Sequence, residues 1–231
     1  MKLTMSLALA GLLAIAGAGA AHADPLSFTV YNGTYSDGVT DQAALPVPTV
    51  NDPAFVATFE YSGPIDFVNE SPQSGPNPFS DFFNSYASDI SGFHSSQPGL
   101  TLSDFLSTTM STTGETGSAI NTYMEITGFY TAAPGTSVSI THDDGASLYI
   151  NGGTTALITS PDPTKKITDT AILPAGSNAF TLVYVESNGA PSVLEANIPQ
   201  AVPEPGSLAL LGTGLFALGL IGLASRRRLG A

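Results

Sequence analysis

The chemistry-bearing residues of this chain are few, and the most telling are adjacent. Asp143-Asp144-Gly145 sets two carboxylates side by side. Like charges in a compact loop repel unless a cation or solvent screens them. Calcium takes roughly six to eight oxygen ligands, carboxylates and carbonyls among them, and suits such a pair. The same residues also read as a plain Asp-Gly turn with both acids solvated. His94 and His142 lack a second histidine at metal-ligand spacing and are expected at the surface. There is no Gly-x-Ser-x-Gly elbow, phosphate loop or dinucleotide fingerprint. The absence of cysteine excludes disulfides, thiolate metal sites and a cysteine nucleophile. Glycoside hydrolysis requires two carboxylates opposed across a cleft. Glu60, Glu125 and Glu186 fall on expected strands, but nothing in their spacing pairs them. Adjacent aspartates suit a cation better than a division into acid and base, so the chain reads as a non-enzyme, with a glycoside hydrolase as the minor alternative.

The elements that must hold these residues are short and β-type. Leu26–Tyr31, Phe55–Tyr61, Tyr123–Tyr130 and Ser137–Thr141 read as strands, as do Ser147–Ile150, Ala156–Thr159, Ile167–Leu173, Phe180–Glu186 and Leu194–Ile198. Asn32-Gly33, Ala133-Pro134-Gly135, Asn151-Gly152-Gly153 and Pro174-Ala175-Gly176 supply turns between them. Asn69 to Pro78 reads as a surface loop, Thr112 to Ser118 as a polar break, and Leu100 to Met110 as a short helix behind Ser103. Phe79 to Tyr86 has a mixed pattern. Tyr31, Tyr61, Tyr123, Tyr130, Tyr149 and Tyr184 sit at strand positions that make them core or rim, and Lys165-Lys166 reads as a solvated loop. Many short strands with Gly/Pro turns imply an all-β, antiparallel sandwich.

Several of these segments resemble a known domain. Phe129-Tyr130-Thr131-Ala132, Ser137-Val138-Ser139-Ile140, Asp143-Asp144-Gly145, Leu148-Tyr149-Ile150-Asn151-Gly152 and Leu182-Val183-Tyr184 are similar to the protective-antigen-type (PA-fourteen) family, and Val30-Tyr31-Asn32-Gly33-Thr34 is similar to its opening strand and turn. The resemblance spans about Asp24 to Pro199 and is densest from Tyr123 to Ile198, with no landmarks between Asn69 and Ser118. It implies a β-sandwich that often serves as a carbohydrate-binding module. In its lectin members an Asp-Asp pair joined by a cis peptide binds calcium, and an Asn from a later loop completes the site. The resemblance therefore assigns the metal site to Asp143, Asp144 and Asn188, with a backbone oxygen from Ala190, and calcium as the cofactor. The Trp often found near that family's ligand site has no counterpart, because the chain contains none.

The two ends have other purposes. Lys2, the apolar run Leu7 to Ala16 and the small-x-small Ala21-His22-Ala23 form a signal peptide over residues 1–23. At the other end, Val202-Pro203-Glu204-Pro205 precedes an apolar stretch, Leu208 to Ala224, and then Arg226-Arg227-Arg228. A helix over 208–224 spans roughly 26 Å, enough for a thin bilayer, and the arginines stop transfer and stay cytoplasmic. Residues 202–231 resemble the PEP-CTERM sorting segment of Gram-negative exported proteins. That resemblance implies an exosortase-type membrane peptidase as partner, transient inner-membrane anchoring, and delivery to the cell surface or an extracellular polysaccharide matrix. The alternative is a retained single-pass anchor.

Between the tails, residues 24–201 form the expected sandwich domain, with 18 acids against two bases, a net charge of −16. Such a body is repelled by phosphate backbones, which excludes nucleic acid as a partner. The expected role is non-enzymatic carbohydrate association, exopolysaccharide included. The competing class is a structural envelope or matrix protein without specific sugar binding.

Overall fold

Alternation decides which side of each strand meets the core. In β1 (Leu26–Thr34), Leu26, Phe28 and Val30 are buried while Ser27 and Thr29 are half-exposed. In β3 (Ile65–Asn69), Ile65, Phe67 and Asn69 point inward. β6 (Ser137–Asp143) buries Val138, Ile140 and His142. The computed structural model describes residues 24–34, 42–47, 55–70, 77–110 and 120–201. The expected signal peptide, the polar break at 112–118 and the sorting segment from residue 202, with its Val202–Pro205 motif, 208–224 helix and arginines, lie outside them. Among the described residues no helix is long and apolar enough to cross a membrane.

The remaining strands are β2 (Phe55–Tyr61), β4 (Ile90–Ser95), β5 (Ile120–Ala132), β7 (Gly145–Ile150), β8 (Ile158–Ser160), β9 (Ile167–Ile172), β10 (Gly176–Glu186) and β11 (Ser192–Ala196). They form a seven-stranded sheet in the order β4-β2-β1-β5-β10-β7-β8 and a four-stranded sheet in the order β3-β11-β6-β9. The named pairs are antiparallel. Both sheets contribute to one apolar cluster, Phe28, Tyr61, Ile126 and Leu148 from one and Phe67, Val138, Ile140 and Leu194 from the other, which makes the fold an all-β sandwich.

β10 departs from simple alternation: from Leu182 to Glu186 every residue is buried. Its outer face is covered by residues 42–47, where Ala43, Leu45 and Val47 pack on Tyr123, Tyr149, Val183 and Val185. Leu45 N–H donates to the Tyr149 hydroxyl at 3.2 Å, which holds this cover in place. The expected hairpin turn at Asn151-Gly152 is present, with φ of 53° and 68° at the two positions, the left-handed pair that a tight turn between strands requires.

Several elements differ from the sequence reading: Asn32-Gly33, expected as a turn, continues β1, paired with β5, and β4 was not among the expected strands. Phe79–Phe83 is a helical turn, α1, followed by a 3-10 segment over Asn84–Asp89, because Phe79, Phe82 and Phe83 recur at helical spacing and all three are buried. The helix α2 (Leu102–Ser107) starts behind Thr101 and not behind Ser103: Thr101 and Asp104 form a reciprocal capping box, with Asp104 N–H donating to Thr101 Oγ1 at 3.2 Å and Thr101 N–H to Asp104 Oδ2 at 3.0 Å. Of the stretch Asn69 to Pro78, read as a surface loop, residues 71–76 lie outside the described residues, and Asn69 and Asn77 are buried and joined by a 2.7 Å hydrogen bond. Phe82 stacks on Tyr184, ring centroids 5.6 Å apart and 18° from parallel, so α1 braces a residue that lies directly beneath the candidate site.

Candidate metal centre

Two chain crossings build the site. β6 belongs to the four-stranded sheet and β7 to the seven-stranded one, and the single residue between them is Asp144. The link from β10 to β11 makes the opposite crossing over residues 187–191. Because β6 pairs with β11 and β7 with β10, the crossings run side by side, with Asp143 opposite Val193 and Gly145 opposite Val185. Residues more than forty positions apart are thereby brought into hydrogen-bonding range. The Asp143–Asp144 and Ala190–Pro191 peptides are both cis.

Asp144 is fully buried and accepts three bonds from the second crossing: the Ser187 and Asn188 N–H groups to Oδ2 and Asn188 Nδ2 to Oδ1, each 2.7 Å. Burial still holds its carboxyl above the ordinary range, with these three donors pulling the other way. Asp143 is 8% exposed. Burial first, and then the charge of Asp144, push its carboxyl up to about 6. The Lys166 backbone N–H donates to it and partly offsets that rise.

Beneath the pair lies a buried polar layer. Tyr184 Oη bonds the Asp143 carbonyl oxygen and also lies 2.8 Å from Glu186 Oε2. A hydroxyl carries one proton and a carbonyl can only accept. Tyr184 therefore donates to Asp143, and the bond to Glu186 needs a protonated carboxyl. Burial, followed by the charge of Asp144, drives Glu186 well above the ordinary carboxylate range, with the hydrogen bonds of Tyr184 and Ser192 pulling the other way. His142 is a correction: the sequence reading put it at the surface, but the inward alternation of β6 buries it completely. Its Nδ1 donates to the Asp144 carbonyl at 2.6 Å and its Nε2 lies 3.0 Å from Asp169 Oδ2. His94 is exposed on β4, as expected.

Asp143, Asp144 and Asn188 line one cleft of about 680 Å³, within the usual size of ligand pockets. Pro163, Thr164, Lys165 and Pro191 complete its lining, and none of them was singled out as functional from the sequence. Ala190 is buried beside Pro191. Among the described residues no group of three or more His, Cys, Asp or Glu side chains is gathered to hold a metal. The donor set nevertheless suits calcium. A carboxylate offers about four acceptor positions; Asp144 has three engaged by N–H groups and Asp143 has one engaged by Lys166, which leaves acceptor capacity on both. All available donors are hard oxygens. Two carboxylates and an amide leave most of a calcium shell to carbonyls, water or the hydroxyls of a ligand.

No protein family and no curated protein matches the sequence. Similar solved structures include the PA14 domain of the MpAFP antifreeze protein, at 18% identity over 80% of this chain and 86% of that one, with a TM-score of 0.47. The PA14 sugar-binding domain from an RTX adhesin is similar at 15% identity over 77% of this chain and 90% of that one, with a TM-score of 0.45. A beta-glucosidase from Kluyveromyces marxianus is similar at 13% identity and a TM-score of 0.28, over 74% of this chain but only 19% of that one. The all-β sandwich itself is read from this chain's own strand pairing.

Among the described residues, Asp143 and Asp144 are the acids that line this cleft. Glu60 and Glu125 lie on β2 and β5 with β1 between them, and Glu186 is buried against Tyr184. The two carboxylates that do line the cleft are neighbours in the chain.

Proposed function

We propose that this chain is a non-enzymatic, exported protein whose β-sandwich binds a glycan through calcium held by Asp143, Asp144 and Asn188. One observation carries the reading: Asp144 is locked by three N–H donors from the opposite crossing, which fixes it beside Asp143 in the lining of a cleft with acceptor capacity to spare. The resemblance of the body to PA-fourteen domains supports the same assignment, and gives Ala190 as the source of a backbone oxygen. Bound calcium would supply a positive centre to which paired sugar hydroxyls can coordinate. The protein's part is to orient the two carboxylates through Ser187, Asn188 and Tyr184 and to leave the outer side of the site open.

The export part of the proposal rests on the ends of the sequence. The amino segment 1–23 directs secretion, and the Val202–Pro205 motif, apolar 208–224 stretch and Arg226–Arg228 direct sorting by an exosortase-type peptidase. Delivery to the cell surface or extracellular matrix places the cleft among polysaccharides.

The test is a glycan panel probed with the full chain in calcium and in EGTA. Binding to a glycan class that EGTA abolishes is the expected result. Binding indifferent to EGTA contradicts the metal-dependent reading, and no binding anywhere on a broad panel favours a structural envelope or matrix protein.

A further inference from the structure

We propose that the ligand of this cleft is a carboxylate-bearing sugar of the uronate class, selected by Lys165. The inference rests on the calcium-dependent glycan reading above and adds to it the charge of the ligand. Its starting point is the distribution of cations. Between Asp24 and Ala201 the chain has 18 acids and only two bases, and both bases, Lys165 and Lys166, come to the carboxylate cleft.

The segment that carries them is anchored. Ala43 N–H donates to the Pro161 carbonyl at 2.8 Å, and Gln42 Nε2 donates to Asp162 Oδ1 at 2.8 Å. Gly145, the residue after the aspartate pair, approaches Pro161 so closely that a Cβ there would collide with its carbonyl. The two lysines then divide. Lys166 gives its backbone N–H to Asp143 and sets its ammonium 3.7 Å from Glu70. Lys165 lines the cleft, and its ammonium has no ion pair among the described residues.

Charge at the cleft then favours an anion. A divalent cation cancels the two aspartates, and Lys165 leaves the site with one net positive charge. Salt screens the part of the body's net charge of −16 that lies beyond about 10 Å from the cleft. Neutral sugar hydroxyls draw little from an ammonium already well hydrated, whereas a carboxylate makes a charge-assisted bond to it. None of the cleft-lining residues is aromatic, so a ring-stacking platform does not compete as the recognition element.

The experiment compares trigalacturonate with its fully methyl-esterified form, which keeps the sugar backbone and removes the charge. The full chain is titrated with each in saturating calcium, and calcium affinity is measured separately. The acid form is expected to bind about three- to tenfold more tightly, the range for one partly exposed charge contact. In Lys165→Gln the two forms should bind within about twofold of each other, while calcium affinity is unchanged or slightly higher because a like charge has gone. Equal binding of both forms by the parent, or a preference that survives Lys165→Gln, with calcium binding intact, overturns this inference and leaves the calcium reading standing. A chain that titrates no calcium and binds neither trisaccharide removes the reading itself, and this inference with it.

Discussion

The raised Asp143 carboxyl gives the metal-free protein an inverted pH dependence. In the folded state this group holds its proton up to about 6, against 3.8 as its ordinary value. The stabilisation it provides is therefore complete below 3.8 and is lost as pH rises through 6. A rise of that size corresponds to about 3 kcal/mol between the protonated and ionised forms, and solvent in the open cleft screens it to about 1–2 kcal/mol. About half of this, roughly 0.5–1 kcal/mol, should separate pH 5 from pH 7.5, equivalent to a fall in Tm of about 1–4 °C for a body of this length. Asp144 and Glu186, raised in the same direction, add to the effect. Relief of general repulsion in an acidic body has the same sign, so the decisive comparison is Asp143→Asn. Thermal unfolding followed by circular dichroism in EGTA at both pH values should show a smaller pH step in the variant and a higher Tm than the parent at pH 7.5. A parent that is more stable at pH 7.5 than at pH 5, or an unchanged step in Asp143→Asn, refutes the reasoning.

Other perturbations separate the supports of the site. Tyr184→Phe removes the hydroxyl between Asp143 and Glu186 and should cost about 1–3 kcal/mol by chemical denaturation, with weaker calcium binding as well, because the buried Asp143 carbonyl loses its donor and the Glu186 carboxyl its acceptor. Gly145→Ala forces a side chain against Pro161; overpacking of this kind costs about 1–3 kcal/mol, and displacement of the Lys165 wall should lower glycan affinity more than calcium affinity. Intact-mass analysis of protein from its native host should give a species that begins at Asp24 and lacks residues 208–231; a mass that retains them would mean a permanent anchor.

Much of the sandwich is legible in the sequence because period-two alternation and Gly/Pro turns coincide, as at Val138-Ile140 and Asn151-Gly152. The same alternation extended by one step would have buried His142, and the lone-histidine argument that put it at the surface ignored that parity. β4 escaped notice because it is an edge strand whose residues are mostly exposed, so its composition carries no apolar pattern. The aromatic helical turn at Phe79–Phe83 was hidden by its shortness. At the site, the aspartate pair is visible locally, but Asn188 was reached only through a family resemblance. What joins the two is topology, two opposite crossings between the sheets that run side by side, and no spacing rule encodes that. The roles of Tyr184, Glu186 and Gly145 depend on which atoms lie behind the loop. Lys165 left one trace in the sequence: it is half of the body's basic charge.

Calorimetric titration of the full chain with calcium at pH 7.5, in parallel with magnesium and with Asp143→Asn, tests the central claim most directly. The account predicts saturable binding of about one calcium per chain, much weaker heat with magnesium because its smaller octahedral shell fits two neighbouring carboxylates and an amide poorly, and loss of most of the signal in the variant. No saturable calcium binding, or equal binding of calcium and magnesium that survives Asp143→Asn, would mean that Asp143 and Asp144 form a structural turn and not a metal centre.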